Sequence, residues 1–202
     1  MRTFTKTLLA TLLTAIILTG TVISSTGAHN FKNFDTPISG INKIWVSGNV
    51  KIVLTQSNVE SVSVGENYNA KNTSIQSKGQ TLYINSAESQ QVTVKVSLRD
   101  LQRIEAAGGS TVVTAGNLNV KHLQIFLNQC ATAKIKTTAG SVYTVIADEA
   151  VLKMSGTAKE HTLVANNMSN AKMRNFISLK TESRVSGPLA MKADSLSAEL
   201  LK

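Results

Sequence analysis

The sequence predicts an all-β fold, a single domain whose strands stack as the coils of a parallel β-solenoid. Three observations predict it: apolar residues alternate with period two, turn-forming stretches separate short runs rich in valine, isoleucine and threonine, and the second half repeats itself. Period two places successive side chains on opposite faces of a strand, so each run reads as half-buried.

Ahead of the domain, Arg2 and Lys6 precede the apolar run Leu8 to Leu18, and small or polar residues follow through Ser24, Ser25, Thr26, Gly27 and Ala28. That order is a secretory signal peptide, residues 1–28. The run falls short of the roughly 20 continuous apolar residues that cross a bilayer, which makes an uncleaved anchor the lesser reading. Cleavage is expected after Ala28, with Thr26 three residues before the cut. The only cysteine is Cys130, so no thiol near the junction is available for lipid attachment. The mature chain is therefore expected to be exported (periplasmic, cell-surface or extracellular), with no stable membrane span after cleavage.

Residues 29–202 then form one domain, long enough to bury a sizeable core. The chain has 21 Lys and Arg against 12 Asp and Glu, a net charge of +9, and loss of the two basic residues of 1–28 leaves +7. A positive surface favours anionic partners such as acidic glycans or envelope polymers. Nucleic acid would satisfy the charge, but an exported protein rarely meets it, and with 4% aromatic residues little is available to stack on bases. A single cysteine permits no internal disulfide.

In chain order the first strands are carried by Val50, Ile52 and Leu54, by Val62 and Val64, by Leu82 and Ile84, and by Val92, Val94 and Val96. Ser47-Gly48-Asn49, Gly65-Glu66-Asn67, Ser77-Lys78-Gly79 and Asn85-Ser86 separate them as turns. Trp45, in the first strand of the domain, ahead of the Ser47-Gly48-Asn49 turn, is expected to pack inside and not to stack on carbohydrate. A helix over Asp194 to Lys202, with Leu196, Leu200 and Leu201 at helical spacing, competes with a strand reading. That tail and the N-terminal strands are the candidate caps of the stack.

In the second half, segments beginning at Gln102, Leu123, Tyr143 and His161 superpose, with steps of 21, 20 and 18 residues, and a less regular copy begins at Leu189. The superposition makes Ile104, Ile125, Val145 and Leu163 one inward file and Ala106, Leu127, Ala147 and Ala165 the next. Cys130 falls level with Gly109, Ala150 and Met168, which predicts a small buried core residue and not a nucleophile or ligand. Asn128, Asp148 and Asn166 share a register before a bend, where stacked polar side chains hydrogen-bond from coil to coil, a structural role preferred to calcium binding.

Lys134, Lys153 and Lys172 each precede the closing apolar residue of a repeat (Ile135, Met154, Met173), so alternation turns the three outward as a basic stripe, with Lys136, Arg174 and Lys180 nearby in sequence. They are the candidate ligand-binding residues. Solubility alone also explains outward lysines on a β-surface.

No catalytic, cofactor or metal site is expected. Glycoside hydrolysis needs two carboxyl groups about 5–10 Å apart. The aspartates after residue 28 are Asp35, Asp100, Asp148 and Asp194, and Asp148 and Glu149, being adjacent, point to opposite faces of a strand. His29, His122 and His161 lack metal-ligand spacing, and no nucleophile-elbow, zinc-protease or phosphate-loop motif is present. A polysaccharide-degrading enzyme and an envelope scaffold acting through protein contacts remain the rival classes to a binding domain.

Residues 34–113 carry a resemblance. Ser39-Gly40-Ile41-Asn42 leads into Ile44-Trp45-Val46-Ser47-Gly48-Asn49-Val50-Lys51-Ile52, followed by Val62-Ser63-Val64, Gly79-Gln80-Thr81-Leu82-Tyr83-Ile84, Val92-Thr93-Val94-Lys95-Val96, Leu101-Gln102-Arg103-Ile104 and Gly108-Gly109. This order resembles the head GIN domain family of auto-transporter adhesins, and the repeats continue it to about Leu189. The resemblance implies a right-handed β-helix-like fold, an export signal and a role in adhesion or envelope interaction. It supplies no catalytic residues. The lysine-rich second half departs from it by having no acidic companion.

Overall fold

The computed structural model describes residues 31–34 and 38–186. The signal peptide expected over residues 1–28 and the helix or strand expected over Asp194 to Lys202 lie outside them. The first half contributes β1 (Lys32–Asn33), β2 (Lys43–Gly48), β3 (Val50–Gln56), β4 (Ser61–Val64), β5 (Thr73–Lys78), β6 (Thr81–Ser86) and β7 (Val92–Leu98). The second contributes β8 (Arg103–Ala106), β9 (Thr111–Thr114), β10 (Leu118–Leu127), β11 (Thr132–Ile146), β12 (Val151–Ala165) and β13 (Ala171–Val185). All belong to one sheet, and Met168–Asn170 is the one helical turn among the described residues. The fold is all-β.

The sheet curls because its connections are short. β11 and β12 pair in parallel from Thr132↔Val151 to Ile146↔Ala165, and only residues 147–150 join them. A straight 15-residue strand would run about 50 Å. The link reaches no more than about 18 Å. The end of β11 must therefore return close to its own beginning. It does so through bends: the buried set runs Ala133, Ile135, Thr137, Ala139 and then changes phase to Val142, Thr144, Ile146, with the shift at Gly140–Ser141. In β12 the same change of phase falls at Lys159–Glu160, between buried Ala158 and His161, and Gly156 makes a close approach of its own: its φ is +107°, and a Cβ there would sit 1.9 Å from the Thr137 carbonyl oxygen. Only glycine fits there.

The first half stacks out of sequence order. Ile44 of β2 lies between Leu82 of β6 and Ile104 of β8, and Ile52 of β3 lies between Val94 of β7 and Val112 of β9. The second pass of the chain thus adds to one side of the first pass, and the third pass to the other. The far end is closed by antiparallel pairs, β5 with β6, β4 with β7 and β1 with β4. Antiparallel pairing is confined to that end; β2, β3 and β6 to β13 otherwise pair in parallel, but in the first half not in the sequential order expected from the repeat.

The core is aliphatic throughout, with Ile44, Ile52, Ile84, Ile104 and Ile125 wholly buried. Trp45 is not part of it. Its neighbours Ile44 and Val46 point inward, so alternation leaves Trp45 half-buried on the outer face beside Tyr83. The inward files also differ from expectation by one residue. Ile125 pairs with Thr144 and Thr144 with Leu163, while Leu127, Ile146 and Ala165 form the next file; Val145 and Ala147 are half-buried on the other face. The true steps are 21, 19 and 19 residues. Thr144 is tolerated inside because its hydroxyl lies 3.3 Å from His161 Nε2.

Candidate functional site

The three stripe lysines come together. Inward Ala133 and Ile135 turn Lys134 outward, and Lys134 pairs with Lys153, which pairs with Lys172, on adjacent strands. Their backbones are separated by the inter-strand distance of about 4.8 Å, and all three side chains are exposed. Between Lys153 and Ser155 the β12–β13 ladder slips, so Met173 and Arg174 together face Met154. This bulge brings Arg174 and Asn175 to the lysines, around a shallow recess of about 290 Å³ floored by Met154 and Ser155. Lys136 is exposed next to it, paired with Ser155. Lys180 is elsewhere, paired with Glu160 across the ladder.

The two ion pairs of the described residues, Arg103–Glu105 and Arg184–Glu182, are away from this recess. Its cations thus have no carboxylate partner among the described residues, and like charges one strand apart repel. The lining residues include no carboxylate, histidine or cysteine with which to move a proton. Such an array offers donors spaced for successive anionic groups along a line perpendicular to the strands.

The corner chemistry is structural. Gln129 and Asp148 both have φ of +55°, in the left-handed region. The Gly108 N–H donates to Gln129 Oε1 at 2.7 Å, and the Gln129 N–H donates to Asp148 Oδ2 at 3.0 Å. A polar ladder therefore runs from coil to coil, but it passes through Gln129 and not Asn128; Asn166 joins by donating from Nδ2 to the Asp148 carbonyl at 3.4 Å. The left-handed residue reverses the chain so that the second residue after it enters the core: Ser110, Ala131 and Ala150 are all buried. Cys130, one residue short of that position, is exposed, contrary to the buried place expected of it. Among the described residues no three His, Cys, Asp or Glu side chains group closely enough to hold a metal ion.

His122 Nδ1 is 2.7 Å from Ser141 Oγ at the surface. His161 is buried, edge-on to the Phe176 ring at 5.3 Å between centroids, and burial lowers its pKa below the usual histidine value.

A family model described as putative auto-transporter adhesin, head GIN domain, matches residues 40–194. The chain belongs to the head GIN domain family. The match runs from the loop before β2 past the end of β13, and so includes the lysine recess. Among solved structures, this head GIN domain is similar to a putative adhesin from Bacteroides fragilis, at 16% identity over 78% of this chain and 77% of that one, with a TM-score of 0.64. A putative adhesin from Parabacteroides merdae matches at 15% identity over 80% and 79%, TM-score 0.55. A putative lipid binding protein from Parabacteroides distasonis matches at 14% over 79% and 79%, TM-score 0.53. At such identities the likeness is one of fold. No curated protein matches the sequence. Among the described residues no helix is long and apolar enough to cross a membrane.

Proposed function

We propose that this head GIN domain is an exported, envelope-associated adhesin-like binding domain that recognises anionic glycans or polymers at the recess of Lys134, Lys153 and Lys172, and that it is not an enzyme. The observation that carries the reading is the column of three register-paired lysines, joined by Arg174 through a bulge, with no carboxylate partner among the described residues. Repulsion along that column is relieved when a run of anionic groups crosses it. The parallel pairing of β10 to β13 supports treating the later strands as a short right-handed β-helix, a rigid frame that repeats the cation at each coil. Residues 1–28 act as the export signal and 29–202 as the mature domain in this reading.

The test is binding of the purified protein to acidic polysaccharides such as polygalacturonate and heparin, alongside a Lys134→Ala, Lys153→Ala, Lys172→Ala variant. Exposed ion pairs contribute about 0.2–1 kcal/mol each, so loss of three should weaken binding about 3- to 150-fold. Binding should also fall as salt shortens the Debye length below about 10 Å. Equal binding by the variant would remove the recess from the proposal. Cleavage products would favour a polysaccharide-degrading enzyme, and absence of binding to any acidic polymer would favour a scaffold acting through protein contacts.

A further inference from the structure

Every buried apolar residue described is Ile, Leu, Val, Ala or Met. The eight described aromatic residues are all outside the core, and four of them share one outward face. Trp45 stands between buried Ile44 and Val46, Tyr83 between Leu82 and Ile84, Phe126 between Ile125 and Leu127, and Tyr143 between Val142 and Thr144. Alternation turns each of the four outward on its own strand.

The ladder registers join them. Tyr83 pairs with Trp45, Trp45 with Glu105 and Glu105 with Phe126; Tyr143 pairs with Gln124, which pairs with Arg103. Five adjacent strands, β6, β2, β8, β10 and β11, thus carry the file over about 19 Å. Two aromatic pairs stand at its ends, Trp45–Tyr83 with ring centroids 6.0 Å apart and Phe126–Tyr143 at 5.9 Å. Between them is a polar centre. Arg103 lies over the Phe126 ring at 4.8 Å, donates from Nε to Gln124 Oε1 at 2.8 Å and pairs through Nη1 with Glu105 at 3.0 Å. Tyr83 and Tyr143 are each 40% exposed, and Arg103 and Glu105 keep about a third of their side-chain surface.

Aromatic side chains carry the largest apolar areas of any residue, and a core of this size could have used them. Grouped apolar surface left in water marks a place of interaction. We propose that this face is a second binding site, a platform for an uncharged glycan, with the C–H faces of successive sugar rings on the Trp45–Tyr83 and Phe126–Tyr143 pairs and ring hydroxyls bonded to Arg103 and Glu105. The face is extended, which fits a linear ligand. The Arg103–Glu105 pair at its centre cancels its own charge, which fits a neutral one, and Lys43, the ladder neighbour of Arg103, adds a single positive charge at the margin. A lipid surface or an apolar protein partner would strip water from the Arg103–Glu105 pair and return no hydrogen bonds, a cost that sugar hydroxyls avoid. The site is independent of the lysine recess: on β11 it uses residues after the Gly140–Ser141 bend, whereas Lys134 precedes that bend.

Trp45 is the only tryptophan in the chain, so its emission reports on this face directly. The experiment titrates the purified protein with cellohexaose, laminarihexaose, chitohexaose and mannohexaose, following tryptophan fluorescence and calorimetry. At least one neutral oligosaccharide is expected to shift the emission with an affinity that does not change with salt or with loss of Lys134, Lys153 and Lys172. Phe126→Ala and Tyr143→Ala, checked for unchanged melting, should each weaken it about tenfold. Three results overturn the proposal: no oligosaccharide moves the emission, both alanine variants bind as the parent does, or the face instead holds a second copy, seen as self-association in sedimentation that Tyr143→Ala abolishes.

Discussion

Residues 43–98 and residues 118–185 fill their interiors by the same strand alternation but under different constraints. In the front, large aliphatics dominate: Ile44, Ile52, Leu54, Leu82 and Ile84 are wholly buried, and the sheet closes through antiparallel pairs that allow passes of unequal length. In the back, each pass is 19 or 20 residues from the next, and beside Leu123, Ile125, Leu127, Ile135 and Ile146 the interior also holds Ala133, Ala139, Ala158 and Ala165, with Thr137 and Thr144 among them. A narrow interior follows from tight bends. Close approach at a glycine is common to both, Gly48 against the Ser86 carbonyl in the front and Gly156 against the Thr137 carbonyl in the back, so what separates the halves is the larger share of small residues inside the back.

The largest expected effect is at the close approach in the back. Gly156→Ala places a methyl 1.9 Å from the Thr137 backbone oxygen at a φ of +107°, which neither rotamer change nor small shifts relieve. The loss should reach about 4 kcal/mol or more, the range reserved for severe backbone conflict. Gly116→Ala is the control: its φ is +104°, with nothing within 4 Å of the added methyl, so it should lose only the conformational strain, about 1–3 kcal/mol. Chemical denaturation of the two variants separates contact from torsion. Similar losses in both would show that the back is not held by close approach.

Next comes volume in the front. Ile52→Ala empties a site wholly enclosed between Val94 and Val112, and should cost about 2–5 kcal/mol in the same assay. Ala133→Gly in the back removes a single methyl, and about 1 kcal/mol is expected from burial and backbone freedom together. If the two changes cost the same, volume does not distinguish the halves.

Both halves announced their strands in the sequence, because Val50, Ile52 and Leu54 or Val92, Val94 and Val96 alternate without interruption. Their neighbours were less legible. Nothing in Ile44 marks whether Leu82 or Ile104 lies next to it, since every strand offers the same branched aliphatic face, and in fact both do. In the back, the spacing of Lys134, Lys153 and Lys172 carried the true 19-residue step, while the apolar superposition slipped to Val145 because a threonine, Thr144, takes the inward place. Cys130 was misplaced by the same kind of slip. Arg174 enters the lysine recess only through a bulge, and bulges leave no periodic trace. The aromatic face was hidden because a low aromatic count says nothing of where those residues are placed.

The smallest effect to be read is a protonation, and it falls only on the back. His161 of β12 is 2% exposed, held between the Thr144 hydroxyl of β11 and the Phe176 ring of β13, with Val142 and Thr181 as its ladder neighbours. The charged residues next to it, Glu160 and its partner Lys180, belong to the opposite, outward face of the strands. Burial therefore lowers its pKa from the ordinary 6.5 without a nearby countercharge inside. In the unfolded chain the imidazole takes up its proton near that ordinary value, whereas the folded protein resists it to lower pH. The folded state then binds fewer protons, so the stabilisation from neutral His161 is complete above about pH 6.5 and is lost as pH falls below it, at no more than about 1.4 kcal/mol per pH unit for one proton. Hydrogen exchange across this range should show protection of β12 and β13 falling with pH while β2, β3 and β7 hold theirs, and His161→Leu should abolish that difference. Uniform loss over both halves, or the same loss in the variant, would show that carboxylates elsewhere set the acid response and that the two halves open together.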